Sequence, residues 1–475
     1  MSDLTALKPA DVWKFFALIC SIPHPSGHER PLAEALRAAA RAAGLAARMD
    51  AVGNLRIDRP AAPGWEAAPT VILQGHLDMV PESDRPFDFL TSPVTPRVDG
   101  DWVCADGTTL GGDNGIGAAH IMALLCDPEL RCGPLAGVFT VEEETGMGGA
   151  ARIAPEFLAG DFLLNCDHDN SEGFCIGCAG GARQTFTFTP KWERADGNGV
   201  LVTLTGLPGG HSGNCIHLDR GNAIRFLAEF LDLHPELRLA ALDAGRVDNA
   251  IPSEAVARAV SPVPPSELQQ AADAFTLLVK KECAAASGMR LAVSPAPVPD
   301  AVWDGDSRQR IVSALALAPD GVIVRSEEFG VPRDSSNLAI VRTADGKVTV
   351  STSQRSLEDA ARDRVCALIA EHFTMFGAEA RKGSVYPATT PGPRSRLRQL
   401  ARRIWAEMGH PDRVNVIHAG LETGWLSLKN PALEIVSCGP HIEEYHTPRE
   451  RVSIASVGEF DRFLRRLLRE IPLQS

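Results

Sequence analysis

Lysine and tyrosine are scarce in this chain of 475 residues: eight lysines stand against 39 arginines, and there are two tyrosines. With arginine so abundant, a lone arginine carries little information. Long apolar runs are also missing. No stretch approaches the ~18 consecutive apolar residues that a membrane-spanning helix needs, so neither an integral membrane protein nor a membrane partner is expected. Met1-Ser2-Asp3-Leu4 lacks a basic segment followed by an apolar one, so no secretory leader is expected. Positive charge is in deficit, with a net charge of −13 and a pI near 5.5. Nucleic acid is therefore an unsuitable partner, because phosphate binding needs a positive face. The 11 cysteines, an odd number, run from Cys20 to Cys438 without a short-loop framework. That usage fits thiols in a reducing compartment and a cytoplasmic location better than a secreted disulfide scaffold.

What is present is core material: 44% of the residues are hydrophobic, ample for a buried interior. In the first ~180 residues helical and strand patterns alternate. Residues 31–44 read as a helix stopped by Gly44, and 115–126 as another. The short apolar runs 70–74, 135–141 and 161–166 read as buried strands. Helices between such strands predict an α/β domain with a mostly parallel sheet. After Gly177-Cys-Ala-Gly-Gly181 the texture changes, and 184–189 alternates at period two. Strands are expected at 200–206, 287–293 and 347–353, and helices at 219–233, 264–285 and 356–374. This describes an inserted α+β layer. The chain then closes with a helix at 395–408, a strand at 432–438 and a helix at 460–471. The expected division is a catalytic domain in two parts, 1–183 and 388–475, with a lid domain at 184–387 that also offers a dimerisation edge.

Polar residues fall where the strands end. The first strand runs into Gly75-His76-Leu77-Asp78, the second into Glu142-Glu143-Glu144, and the third into Asp167-His168-Asp169. The last is followed by His441 and then His446-Thr447-Pro448, while Asp113 sits in a glycine-rich turn before the 115–126 helix. Ligands of open α/β sheets bind outside the carboxyl ends of the strands, so these segments are expected to converge. Imidazoles mixed with carboxylates suit Zn²⁺, with Mn²⁺ or Co²⁺ as alternatives. Of the Glu143–Glu144 pair, one member can bind metal while the other stays free to take a proton from water. Asp78 reaches the His76 imidazole only if the chain leaves ideal β geometry; it would then orient that ligand. Each feature has a plainer reading. A histidine on a strand is usually structural, Glu-Glu-Glu is often a solvated cluster, and Asp113 can cap its helix. Their joint occurrence after four strands weighs against all of these together.

The segments Gly75-His76-Leu77-Asp78-Met79-Val80, Leu110 to Gly117, Glu143-Glu144-Thr-Gly-Met147 and Asn165-Cys-Asp167 resemble successive motifs of the aminoacylase/carboxypeptidase-G type di-zinc metallopeptidases. Gly177 to Gly181, Gly209-Gly-His211-Ser-Gly213, Asn249-Ala-Ile-Pro252, Ala419-Gly-Leu-Glu422 and His446-Thr-Pro narrow the resemblance to the bacterial aminoacyl-histidine dipeptidase branch. It extends over nearly the whole chain. It implies hydrolysis of unblocked dipeptides, Xaa-His among them, by a hydroxide between two zinc ions. One zinc would be held by His76, Asp113 and Asp167, the other by Asp113, Glu144 and His446. Glu143 would be the general base and Asp78 the carboxylate behind His76. His211 would donate to the oxyanion, and Asn249 and Arg355 would hold the substrate carboxylate. A cis peptide between Asp113 and Asn114 is implied too, and a homodimer is compatible with the lid's strand edge. Thr145 and Asn114 depart from the commonest residues of the group, but neither removes a ligand.

Other features carry less. Cys175-Ile-Gly-Cys178 has redox spacing, yet Ala-Gly-Gly follows where a thioredoxin motif should open a helix, so a structural turn is expected. His441 competes with His446 as a ligand, and the His-Thr-Pro pattern favours His446. The rival activities are an N-acyl-amino-acid deacylase or carboxypeptidase, a thiol redox protein using Cys175 and Cys178, and a catalytically silent metal-binding scaffold.

Overall fold

The structure is a computed structural model, described for residues 4–169, 173–392 and 394–471. The chain divides into two compact units. The first comprises 1–177, 389–416 and 421–475, and the second 178–388 and 417–420.

The first unit is built on an eight-stranded sheet in the order Ala46–Met49, Leu55–Arg59, Leu135–Thr140, Val71–His76, Phe162–Asn165, Glu434–Ser437, Phe174–Cys178, Val414–Ile417. The four central strands, from Leu135–Thr140 to Glu434–Ser437, pair in parallel. The strands before them, and the junction with Phe174–Cys178, are antiparallel. Alternate residues of the central strands feed opposite faces. Val71 and Leu73 enter the larger core with Trp13, Phe16, Phe460 and Phe463, whereas Ile72 enters a smaller one with Phe157, Leu158 and Leu426. Burial on both faces is why these strands read as continuous apolar runs rather than alternating ones. Helices Ala10–Cys20, Gly112–Cys126 and Ile454–Glu470 contribute to the larger core. The last of these begins well before the expected Phe460, because the Ser453 hydroxyl accepts from the Ser456 N–H and caps its first turn. A separate four-stranded sheet pairs Ile442–Glu443 with Arg451–Ser453, and the latter with Trp102–Ala105.

The second unit is a nine-stranded sheet whose described pairings are all antiparallel, covered by helices Ala223–Leu233, Pro265–Glu282, Gly305–Ala316 and Asp359–Met375. Phe186, Phe230, Trp303 and Phe373 lie in its core. Gly180–Phe188 is one continuous strand between Lys347–Ser356 and Glu379–Tyr386, so the chain enters this unit before the alternating pattern at 184 begins. Cys175 and Cys178 correct an expectation: they lie within the buried strand Phe174–Cys178, not in a turn. None of the 11 cysteines is in a disulfide. No helix among the described residues is long and apolar enough to cross a membrane.

Candidate metal centre

Five side chains from separate segments of the first unit meet at the carboxyl ends of the parallel strands. His76 is the last residue of its strand and fully buried; its Nε2 lies 3.0 Å from Asp113 Oδ1 and 3.7 Å from Asp167 Oδ1. The other Asp113 oxygen faces His446, with Oδ2 3.4 Å from Nε2, and the same nitrogen is 3.0 Å from Glu144 Oε1. The donor atoms of His76, Asp113 and Asp167 form one close group, those of Asp113, Glu144 and His446 another, and those of His76, Glu143 and Glu144 a third, each within 4.8 Å. Asp113 therefore joins the first two groups through its two oxygens. It sits where Gly112–Cys126 departs from helical geometry, and the Asp113–Asn114 peptide is cis. Asn114 turns inward and donates through Nδ2 to Asp167 Oδ1 at 2.8 Å and to the Cys166 carbonyl at 2.7 Å.

The electrostatics follow from crowding. Burial, reinforced by the charge of Asp113, pushes the Asp167 carboxyl well above its ordinary range. Burial likewise raises Glu143, with Glu144, Glu422 and Asp113 adding to it and His76 opposing. At His446 burial works against the charge, but hydrogen bonds to Asp113 and Glu144 outweigh it and carry the imidazole up to about 11. Four carboxylates crowded around two imidazoles leave an excess of negative charge in a partly buried site. Oxygen and nitrogen donors in overlapping threes around a shared carboxylate fit two divalent cations, which would relieve that excess.

Asp78 does more than face His76. The His76 Nδ1 lies 3.0 Å from the Asp78 carbonyl and 3.4 Å from its Oδ1, as the chain leaves the strand. The carboxylate also accepts from the Glu143 N–H through Oδ1 and the Glu144 N–H through Oδ2, each at 3.0 Å, and from the Ser26 hydroxyl at 2.8 Å. One buried aspartate thus fixes the ligand before it and the loop carrying the two glutamates. That loop begins at Glu142 with a φ of +55°, a left-handed conformation that a non-glycine residue adopts only when its surroundings hold it there. His441 is not in the cluster. It is paired with Asp169 at 2.6 Å and Glu443 at 3.2 Å, which leaves His446 as the imidazole facing Asp113 and Glu144.

His211, Asn249 and Arg355 belong to the second unit, which places them near one another. His211 pairs with Ala250 across a two-residue ladder, and the Ser212 N–H donates to the Asn249 carbonyl at 2.7 Å. Arg355 is buried, with Nη2 3.5 Å from the Ser212 hydroxyl and Nη1 donating to the Tyr386 hydroxyl at 2.7 Å; its Nε has no partner among the described residues. The His211 Nδ1 accepts from the Gly213 and Asn214 N–H groups at 3.3 and 3.2 Å, which assigns the neutral ring's proton to Nε2.

Two buried acids were not singled out by the sequence reading. Glu422 appeared there within a motif but without a role. Its Oε2 accepts from Gln74 Nε2 at 2.6 Å and Thr140 Oγ1 at 2.7 Å, and Gln74 in turn accepts from Asn165 at 2.7 Å. The network ties together the ends of the three strands leading to His76, Glu143 and Asp167. Burial pushes the Glu422 carboxyl up to about 7. Glu450 binds the loop before Asp113.

The model of Peptidase family M20/M25/M40 matches residues 72–470. The cytosol non-specific dipeptidase of Escherichia coli K12 is 38% identical over 99% of this chain and 100% of its own length. The aminoacylhistidine dipeptidase of Vibrio alginolyticus superposes with a TM-score of 0.87 at 37% identity, covering 99% of this chain and 98% of that one. The aminopeptidase PepT of Bacillus cereus shares the fold alone, with a TM-score of 0.62 at 14% identity over 98% of this chain and 99% of that one. The chain belongs to Peptidase family M20/M25/M40.

Proposed function

We propose that this peptidase is a di-metal dipeptidase, most active on unblocked dipeptides and accepting Xaa-His. The observation that carries the reading is Asp113, whose two oxygens face His76 and His446, beside a glutamate pair held at one spot by Asp78. The names of the two relatives above 30% identity support the substrate class. His76, Asp113 and Asp167 would hold one ion, and Asp113, Glu144 and His446 the other. Zinc suits these donors, and manganese or cobalt would be accepted by the same set. Bound there, the pair would supply Lewis acidity toward the scissile carbonyl and acidify a bound water.

The protein's own residues do the rest. Glu143 is not needed as a ligand, so its carboxylate takes the proton of the attacking water and returns it to the leaving amine. The Asp78 carboxylate keeps that base in place through the Glu143 N–H. His211, with its proton on Nε2, is the donor for the developing oxyanion. Arg355 and Asn249 receive the carboxylate of the substrate. A bidentate guanidinium contact gives directional recognition of that group, and the unpartnered Nε of Arg355 supports it. Eleven cysteines outside disulfides support a reducing, cytosolic setting.

A substrate panel tests the reading. Dipeptides with a free amino group should be hydrolysed at least tenfold faster in kcat/KM than the matching N-acetylated amino acids. The reverse order would make the chain a deacylase.

A further inference from the structure

The hairpin that supplies His446 also carries Glu450, which is 2% exposed. Its carboxylate faces the loop before the shared aspartate and accepts four backbone N–H groups in succession. Oε2 receives Leu110 at 2.8 Å and Gly111 at 3.1 Å; Oε1 receives Gly112 at 2.7 Å and Asp113 at 3.1 Å. Successive N–H groups converge on one anion only if the backbone curls, and Gly111 supplies the curl with a φ of +70°. Gly112 supplies the closeness. A Cβ there would lie 2.5 Å from Val452 Cγ2 and 3.1 Å from Glu450 Oε1.

The base of the hairpin is fixed. Its strands Ile442–Glu443 and Arg451–Ser453 pair with each other, and Arg451 faces Cys104 in the next strand. The Glu450 N–H donates to the Thr447 carbonyl at 3.0 Å, closing the turn that directly follows His446. His446 itself has a φ of +62°, and its side chain, 42% exposed, meets Asp113, Glu144 and the Tyr445 ring. Two ligands 333 positions apart in sequence are thus joined through one side chain, whose backbone belongs to the His446 loop and whose oxygens grip the Asp113 loop. An ionised carboxylate is the residue type for this task, because it offers acceptors on both oxygens and no donor.

We infer that Glu450 is a positioning residue that sets the Asp113 and His446 loops in register, and thereby the affinity for the ion they share. The inference rests on the di-metal reading above. Glu450→Gln is the sharp variant: it keeps the shape but turns an NH₂ group toward two of the four N–H donors.

Zn²⁺ titrated into the metal-free full chain against a chromogenic chelator should show two sites in the wild type. In Glu450→Gln one of the two sites should lose at least tenfold in affinity. At saturating Zn²⁺, kcat should fall at least tenfold while KM stays within about threefold, since Glu450 does not reach the substrate. Wild-type affinity for both ions in a folded Glu450→Gln protein would overturn the inference, as would a change confined to the melting temperature. If that variant does not fold, the same readings on Gly112→Ala, which wedges the clamp apart, decide in the same way. Amide exchange on the metal-free wild type needs no variant. The Leu110–Asp113 amides should exchange at least a hundredfold more slowly than unprotected ones, and free exchange would refute the clamp. A wild type that binds no Zn²⁺ would count against the di-metal reading, while amide exchange would still score the clamp.

Discussion

Glu143 is half-buried beside Glu144 and His76, and in the proposed reading it is the acid that neither ion needs as a ligand, which leaves it free to take a proton. Glu143→Gln should keep metal content at the wild-type level and lower kcat at least a thousandfold; substantial residual hydrolysis would remove Glu143 from the base role. Asp78 acts through others. Replacing it with Ala frees the Glu143 and Glu144 amides and the Ser26 hydroxyl at once and removes the charge beside His76. The expected loss is about 10–100-fold in metal affinity or activity, read by chelator competition. A third residue reports through pH. Burial, with the charge of Arg355 adding to it, holds His418 down to about 3. The unfolded chain would take up a proton on this group below pH ~6.5 while the folded chain does not. The stability His418 contributes is therefore complete above pH ~6.5 and declines by about 1.4 kcal/mol per unit as the pH falls toward 3. Compared with His418→Gln, the wild type should lose about 2 kcal/mol of relative stability between pH 6.5 and 5.0 in urea titrations. A pH-independent difference would contradict the assignment. The residues of the cluster were legible in the sequence because histidines and acids recur at strand ends, a pattern with few other causes. Glu450 and Glu422 were not. A carboxylate that accepts hydrogen bonds from a distant loop, or from strands hundreds of residues away, leaves no local mark.

Among the elements, the helix behind Asp113 must pack tightly against the neighbouring strand end. A Cβ on Gly117 would be driven into the Cys166 carbonyl and would lie 2.5 Å from Asn114 Oδ1. Gly117→Ala should therefore cost about 1–3 kcal/mol by overpacking and disturb the Asn114 contact to Asp167, lowering the melting temperature by several degrees; an unchanged melting curve would show that the packing relaxes. The buried parallel strands were readable because burial on both faces makes them short, apolar and β-branched. The strand Pro332–Ala344 was missed for the opposite reason. Its first half, Asp334 to Asn337, is polar yet buried, satisfied in part by Ser356, His418, Gln354 and the Asp248 and Ala250 carbonyls. Polarity in sequence reads as exposure, and here it reflects an internal hydrogen-bond network. Helix Gly305–Ala316 was missed too, although the Asp304 side chain caps it by accepting from the Ser307 N–H.

For the molecule as a whole the net charge is −13, and the structure adds where some of that charge lies. Asp113, Glu143, Glu144 and Asp167 are drawn into one recess with two imidazoles. Folding the metal-free chain has to bear their mutual repulsion, so cations that bind only the folded state stabilise it by mass action, about 4 kcal/mol when free metal is a thousand times the dissociation constant. Chelation should lower the melting temperature and abolish hydrolysis together, and adding Zn²⁺ back should restore both. The most direct test of the account combines metal analysis of the purified chain with hydrolysis of a dipeptide panel that includes Xaa-His, before and after chelation. The account predicts two zinc, manganese or cobalt ions per chain and turnover that disappears with them. Dipeptide hydrolysis that persists in metal-free protein would contradict it.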